Sequence, residues 1–216
     1  MIECWCSHSS LMPLPHSSHT KTQGFRLDVR YATDNNFVHK AVYTEPRAVL
    51  QRPAAEALVR VAQRLEAETG FALLIYDGYR PWAVTKVFWD LTPPEKRDFV
   101  ADPETGSKHN RGCAVDLSLC RPTTAGGFEA IDMPSDFDEM ADSAHSEYGG
   151  DPTLPEGSAE HEAQTAQLKM RDLLREHMER DGDFTVQYNE WWHFNFKDWE
   201  RYPVSDIPFE EIRPTV

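Results

Sequence analysis

The sequence predicts a single-domain α+β fold, in which helices pack on one face of a mainly antiparallel sheet and polar residues occupy the other face. Two long stretches, 53–69 and about 158–180, have the apolar periodicity of helices. Several shorter stretches alternate, or are apolar throughout, and are separated by turn-forming residues, as strands are. The 216 residues fit one domain, which we place at 25–216 after an irregular N-terminal segment at 1–24.

In its first half, the chain is predicted to alternate between strands and helices. FRLDVRYAT at 25–33 alternates well enough for a strand. The helix at 53–69 has Pro53 in its first turn and Gly70 as a natural stop. The next elements are a buried strand at 71–77, a turn at 78–81 and a short helix at 82–90.

In the second half, one strand is expected to have a polar and an apolar face. Along 112–119, Val115, Leu117 and Leu119 point to the core, and Asp116 points to the opposite face. The remaining predictions are a long loop at 121–156, a helix at 158–180 that Gly182 ends, and paired strands at 184–188 and 192–196.

Composition restricts the partners and the compartment. The chain has 22 basic and 36 acidic residues and a net charge of −14, so it would repel phosphate backbones and we expect no nucleic-acid partner. It contains no apolar run of about 18–20 residues, and its N-terminus lacks a basic start before an apolar run, so we expect neither a membrane span nor a secretory signal. These features predict a cytoplasmic protein and leave its oligomeric state open.

The four cysteines are not spaced as metal ligands. They form neither a CxxC pair nor a zinc-ribbon pattern, which predicts free thiols in a reducing cytoplasm: Cys4, Cys6, Cys113 and Cys120. Cys113 is expected to pack as a small residue and not to bind metal.

Four residues carry the chemistry that points to a reaction. They lie in SKHNRGCAVDLSL (107–119) and NEWWHFNF (189–196). His109, Asp116 and His193 form a two-histidine, one-carboxylate set, which can hold Zn²⁺ and leave one position for water. Glu190 lies three residues before His193, where it can accept a proton from that water. Because each residue alone also has an ordinary structural explanation, the residues by themselves leave a metal-dependent hydrolase and purely structural roles both open.

The spacing of the first two candidate ligands requires a bend. His109 lies seven positions before Asp116, so an unbroken strand would place the two side chains on opposite faces. The chain must therefore turn between them, and Asn110, Arg111 and Gly112 suit that turn.

The motifs resemble those of a known family. SKHNRGCAVDLSL matches the S-x-H-x-x-G-x-A-x-D pattern of zinc D-alanyl-D-alanine peptidases at every fixed position. EWWH matches the E-x-x-H pattern of the D-Ala-D-Ala dipeptidases, whereas related D,D-carboxypeptidases tend to have Asp at the position of Glu190. RYATDNNF (30–37), YDGYRP (76–81) and FDEMADSAH (137–145) agree in the same order. The chain thus resembles this dipeptidase family over about 25–200.

The resemblance implies a role for each matching residue. His109, Asp116 and His193 would be the ligands of one Zn²⁺ per chain, and Glu190 the general base. Arg80 would steady the negative charge that develops on the reacting carbonyl. Three further residues would bind substrate. Asp138 would bind the ammonium group of the substrate, Ser107 would lie near the substrate carboxylate, and Tyr31 would line the pocket.

The activity that the resemblance implies is zinc-dependent hydrolysis of the D-alanyl-D-alanine dipeptide to two D-alanines, a reaction of peptidoglycan metabolism. The expected partner is this small dipeptide. One alternative is a D,D-carboxypeptidase or another peptidase of peptidoglycan fragments. A further alternative is a catalytically silent zinc-binding module, as in the distantly related hedgehog signalling domain.

Overall fold

A computed structural model describes residues 11–14, 24–123 and 127–212. Within these ranges the strands, in chain order, are β1 Leu11–Pro13, β2 Phe25–Leu27, β3 Val49–Gln51, β4 Ala72–Asp77, β5 Ala114–Pro122, β6 Phe128–Ala130, β7 Phe184–Gln187 and β8 Glu190–Phe196. The α-helices are α1 Arg52–Thr69, α2 Trp82–Leu91 and α3 Ala159–Gly182. No helix in the described ranges has both the length and the apolar character to span a bilayer.

The described strands form one large and one small sheet. The large sheet has six strands in the order β2-β4-β5-β8-β7, with β6 paired to the far end of β5. Every pairing in it is antiparallel except that of β2 with β4. Strands β1 and β3 form a separate antiparallel pair. The predicted α+β class with a mainly antiparallel sheet is therefore confirmed.

Helices α1 and α3 cover the apolar face of the sheet. Val115, Leu117 and Leu119 of β5 are fully buried in the same cluster as Leu58 of α1 and Leu174 of α3. Each such side chain stabilises the fold by about 1.5–3 kcal/mol relative to an exposed one. The predicted alternation along β5 is confirmed, and it turns the intervening polar residues toward the opposite face.

Both long helices end as their sequences predict. Gly70 takes the left-handed conformation (φ 75°) and its N–H donates to the carbonyl of Glu66, which closes α1. In α3, the Ser158 side chain accepts a hydrogen bond from the backbone N–H of His161, as an N-cap residue does. Gly182 is the last residue of α3.

Three local predictions need correction. The strand expected at 25–33 ends at Leu27, and Arg30–Ala32 forms a 3-10 helix. The reason is Asn36, whose side-chain amide donates to the carbonyls of Arg30, Thr33 and Lys40 and so folds this segment into a turn. The predicted loop at 121–156 contains β6 and a 3-10 helix, Asp142–Ala144. Strand β1 lies within the segment expected to be irregular.

The register of the three central strands aligns polar residues across the sheet. Asp77 on β4 is paired with Asp116 on β5, and Asp116 is paired with His193 on β8. Neighbouring strands lie about 4.8 Å apart, so these three side chains form a row on one face. This row is the base on which the site is built.

Candidate active site

The three predicted metal ligands converge on the polar face of the sheet. Nε2 of His109 lies 3.1 Å from Nδ1 of His193 and 3.3 Å from Oδ1 of Asp116. Nδ1 of His193 lies 3.1 Å from the same carboxylate oxygen. All three residues are buried, so their donor atoms form a compact triangle that is shielded from bulk water.

A tight turn brings His109 to this triangle. Residues His109–Arg111 form a 3-10 helix, and Gly112 follows with φ 67°, a conformation that a residue with a Cβ rarely adopts. A Cβ at Gly112 would also lie only 2.7 Å from Cδ2 of Leu11. The bend predicted between His109 and Asp116 is confirmed, and glycine is required in it.

The donor set fits a zinc ion. Nitrogen and oxygen donors bound to tetrahedral Zn²⁺ at about 2.0–2.1 Å are separated by about 3.3 Å, which matches the triangle of His109, Asp116 and His193. Oδ1 of Asp116 is buried and lacks a hydrogen-bond partner among the described residues, an arrangement that is costly unless a cation is bound. The pKa of Asp116 nevertheless lies well below its usual range, because the two histidines outweigh the effect of burial.

Each imidazole makes a hydrogen bond on the side away from the donor triangle. This bond leaves the ring nitrogen that faces the triangle unprotonated and able to bind a metal. Nδ1 of His109 lies 2.6 Å from the carbonyl oxygen of Gly78, so this nitrogen carries the proton and Nε2 carries the lone pair. Nε2 of His193 lies 2.8 Å from Oδ1 of Asn195, which leaves Nδ1 as the donor. Metal-binding histidines are usually fixed in this way.

Glu190 lies at the edge of the donor triangle. It is the first residue of β8, and its Oε2 is 3.5 Å from Nδ1 of His193. Burial raises the pKa of Glu190 to about 7, against the opposing effect of His193. A carboxylate with this pKa can both accept and release a proton near neutral pH.

Arg80 is held rigidly above the site. Its Nε and Nη2 donate to Oδ2 of Asp77 at 3.0 and 2.8 Å, and its guanidinium carbon lies 5.1 Å from the ring centre of Tyr31 and 4.8 Å from that of Phe88. Nη2 is also 3.6 Å from Oδ2 of Asp116. Burial alone would lower the pKa of Arg80, but Asp77 keeps it well above its usual value.

Asp138 supplies a further carboxyl group, on the loop side of the site. Its Oδ1 accepts a hydrogen bond of 2.9 Å from the hydroxyl of Tyr31. Its Oδ2 is buried and has no partner in the described part of the chain. Burial raises the pKa of Asp138 to about 8. The backbone has φ 65°, so the local fold holds this side chain in a conformation that non-glycine residues seldom take.

One cavity joins these groups. It has a volume of about 190 Å³ and is lined by all eight residues singled out in the sequence: Tyr31, Arg80, Ser107, His109, Asp116, Asp138, Glu190 and His193. At about 30 Å³ per water molecule, this space holds about six waters or a ligand of similar size. The geometry therefore suits a very small polar substrate.

Two hydrogen bonds join segments that line the cavity. Nζ of Lys96, in the 3-10 helix Pro94–Phe99, donates to the carbonyl of Met140 at 2.5 Å. The side-chain amide of Asn189 donates to the carbonyl of Asp98 at 2.6 Å. Because Asp98, Met140 and Asn189 all line the cavity, these bonds connect three separate segments of its wall.

Other sequence expectations can be placed as well. Asp136 and Asp142 are exposed residues, and Trp191 is buried in the core. Cys113 is a buried free thiol outside the donor set. Sequence reasoning missed Asp77 and Asn195. The signal for Asp77 was its place in the YDGYRP motif, and the signal for Asn195 was its position on the same face of the strand as His193.

The chain is similar to a family of known enzymes. The family model described as D-ala-D-ala dipeptidase, Peptidase_M15, matches residues 15–210. A D-alanyl-D-alanine dipeptidase of Enterococcus faecium is 34% identical over 204 residues, which cover 86% of this chain and 92% of that protein. A D-alanyl-D-alanine dipeptidase of Escherichia coli (strain K12) is 30% identical over 178 residues, 82% of each chain. Similarity thus extends over nearly the whole domain.

Proposed function

The chain belongs to the D-Ala-D-Ala dipeptidase family of metallopeptidases, and from this premise we propose that it hydrolyses D-alanyl-D-alanine to two D-alanines with one bound Zn²⁺. The observation that carries the proposal is the donor triangle of His109, Asp116 and His193, with Glu190 beside it, in a cavity of dipeptide size. The names of the relatives supply the substrate class.

His109, Asp116 and His193 would hold the metal, since Nε2, Oδ1 and Nδ1 of these residues face one another. Zn²⁺ in such a site supplies Lewis acidity, which lowers the pKa of a water molecule to about 7 and polarises a carbonyl group. Because this set of two neutral imidazoles and one carboxylate carries a charge of only −1, it would leave a bound divalent cation with a net positive charge.

Glu190 moves the proton. Its carboxylate accepts a proton from the attacking water as the water oxygen bonds to the carbonyl carbon. When the C–N bond breaks, the same residue donates that proton to the leaving nitrogen. The pKa of about 7 suits both directions of transfer, and general acid–base catalysis of this kind is worth about 10²–10⁴ in rate.

Arg80 stabilises the negative charge that appears on the carbonyl oxygen. Its guanidinium is already fixed by Asp77 and by two aromatic rings. A charge that is fixed before the reaction needs no reorganisation during it, and this is the condition under which such groups accelerate reactions most.

The ends of the dipeptide determine its position. Oδ2 of Asp138, which lacks a partner among the described residues, binds the substrate ammonium group, and Tyr31 holds the other oxygen of this carboxyl group. Burial raises the pKa of Asp138 to about 8, and the arriving positive charge lowers it again, so the group is ionised when substrate is bound. The Ser107 hydroxyl lies near the substrate carboxylate. With the ammonium group buried against Asp138, an acylated or extended amino terminus has neither the charge nor the space to bind.

The proposal is tested by incubating the purified, zinc-loaded protein with D-Ala-D-Ala and with N-acetyl-D-Ala-D-Ala, and by measuring released D-alanine. We expect release from the free dipeptide, strong discrimination against the acetylated one, and loss of release after the metal is chelated. Preferred cleavage of the acetylated substrate would instead identify a D,D-carboxypeptidase. Zinc binding without cleavage of either substrate would indicate a silent module.

A further inference from the structure

Two side-chain amides connect His193 to the wall of the cavity. Oδ1 of Asn195 lies 2.8 Å from Nε2 of His193, and Nδ2 of Asn195 donates to Oε1 of Gln187 at 3.0 Å. Asn195 is buried, whereas Gln187 is half-buried and lines the cavity. This His193–Asn195–Gln187 series supports the ring of His193 on the side away from the donor triangle, and Gln187 extends the support beyond Asn195.

The strands place these residues in contact. Asn195 follows His193 by two positions on β8 and therefore shares its face of the sheet. Gln187 is the last residue of β7, where the β7–β8 register shifts between Val186 and Gln187. A bulge of this kind re-aims the side chain that follows it. In the β7–β8 ladder, the residue paired with Asn195 is Thr185. The bulge explains why the side chain of Gln187 nevertheless reaches that of Asn195.

The direction of the hydrogen bonds determines the tautomer of His193. A neutral imidazole has one N–H and one lone pair. When Nε2–H donates to the amide oxygen of Asn195, the lone pair lies on Nδ1, which faces Asp116. If the amide of Asn195 were reversed, its NH₂ group would meet Nε2 and favour the opposite tautomer. Oε1 of Gln187 accepts a hydrogen bond from Nδ2 of Asn195, which favours the observed orientation of the Asn195 amide over this reversal.

The two imidazoles differ in how they are supported. The proton of His109 is received by a backbone carbonyl, that of Gly78, which no substitution removes. The proton of His193 is received by a side chain. We propose that Asn195, oriented by Gln187, is a positioning residue that selects the metal-binding tautomer of His193. The inference rests on the proposed zinc centre and adds to it two residues that bind neither metal nor substrate.

The test measures the dissociation constant of Zn²⁺ by chelator competition, without substrate, together with the melting temperature of the metal-free protein. Asn195→Leu removes the acceptor, and we expect it to weaken zinc binding about 10–100-fold. Asn195→Asp keeps an acceptor at the same position and serves as the matched control, with an affinity at least that of the parent protein. A purely structural asparagine would lower the melting temperature in both variants and leave the zinc affinity unchanged, which would overturn the inference.

Gln187 provides an independent arm that does not depend on the folding of the Asn195→Leu variant. Gln187→Leu removes the oxygen that orients Asn195, whereas Gln187→Glu retains it. We expect weaker zinc binding only in Gln187→Leu, and no additional loss when Gln187→Leu is combined with Asn195→Leu, because both changes act through one hydrogen bond. Equal affinity in the two Gln187 variants, or additive losses, would contradict the orienting role. Since these measurements exclude substrate, failure of the parent protein to cleave D-Ala-D-Ala would overturn the proposed function alone.

Discussion

Asp77 holds Arg80 through a single carboxylate oxygen, which accepts hydrogen bonds of 3.0 Å from Nε and 2.8 Å from Nη2. The other oxygen of Asp77 accepts from the backbone N–H of Gly78 and from the hydroxyl of Tyr43. Both carboxylate oxygens of Asp77 are thus hydrogen-bonded, one to the guanidinium and the other to the surrounding fold. This arrangement gives the guanidinium a single orientation before substrate enters.

Replacing this carboxylate tests its positioning role. Asp77→Asn keeps the shape of the side chain but removes the charge, and a hydrogen bond to a charged group is worth about 1.5–3 kcal/mol. We expect the kcat for D-Ala-D-Ala to fall roughly 10–100-fold, with a smaller change in KM. Arg80→Ala should cost about 10²–10³ in kcat. Zinc content, measured in parallel, should not change in either variant, and an unaltered kcat in Asp77→Asn would refute the role.

Removal of the proposed base separates catalysis from metal binding. Glu190→Gln preserves the size of the side chain but cannot accept a proton. We expect kcat to fall by about 10²–10⁴ while one Zn²⁺ per chain is still bound, because Glu190 lies outside the donor triangle. Full activity in this variant would mean that another group accepts the proton.

The carboxylate of Asp138 is predicted to select substrates with a free amino group. Asp138→Asn should raise KM for D-Ala-D-Ala and reduce discrimination against N-acetyl-D-Ala-D-Ala, because the ammonium group loses its counter-charge. Asp136→Asn, at an exposed position two residues away, is the matched control and should leave both values as they are. Unchanged discrimination in Asp138→Asn would assign the ammonium site elsewhere.

Two buried thiols should resist alkylation. Burial raises the pKa of Cys113 to about 12 and that of Cys120 to about 11, and only the thiolate reacts. At pH 8 we therefore expect iodoacetamide to leave both residues unmodified in the folded protein and to label them after denaturation, as read by peptide mass spectrometry. Labelling of either residue in the folded protein at pH 8 would show that this part of the core opens to solvent.

A carboxylate between α1 and α3 should make the thermal stability of the protein depend on pH in the acid range. The pKa of Asp181 is lowered mainly by hydrogen bonds from Arg180, with His177 and Arg64 contributing. A lowered pKa in the folded state adds stability above the unfolded-state value of about 3.9, and this stability is lost as pH falls through the folded value. The melting temperature should therefore drop more steeply below pH 4 in the parent protein than in Asp181→Asn. Asp132→Asn, at an exposed position, should retain the steep drop.

Much of the site was accessible from the sequence because strands and helices have fixed periods. The alternation along β5 placed Asp116 opposite the core, the same period placed His193, and Gly112 indicated the bend that His109 needs. These inferences use only neighbours along the chain. Physical rules of this kind predict the face on which a side chain lies, and the family resemblance then supplied the expected roles.

The parts that were missed depend on contacts between distant segments. The sequence indicates Asp77 only as the last residue of a buried strand, since the pairing of β4 with β5 is needed to show that it lies beside Asp116. Gln187 could not be linked to Asn195 because the link requires a register shift between β7 and β8. The strand expected at 25–33 was too long because the amide of Asn36 competes for its backbone carbonyls.

The row of Asp77, Asp116 and His193 across three strands makes catalytic competence a measure of correct folding. A slip of one residue between β5 and β8 would turn His193 inward and Phe194 out to water. Such a misaligned chain would lose the proposed metal site and also expose apolar surface, which favours aggregation. Activity per polypeptide chain, measured with zinc in excess, can therefore report, in a refolded or mutated sample, the fraction of molecules whose strands have paired properly.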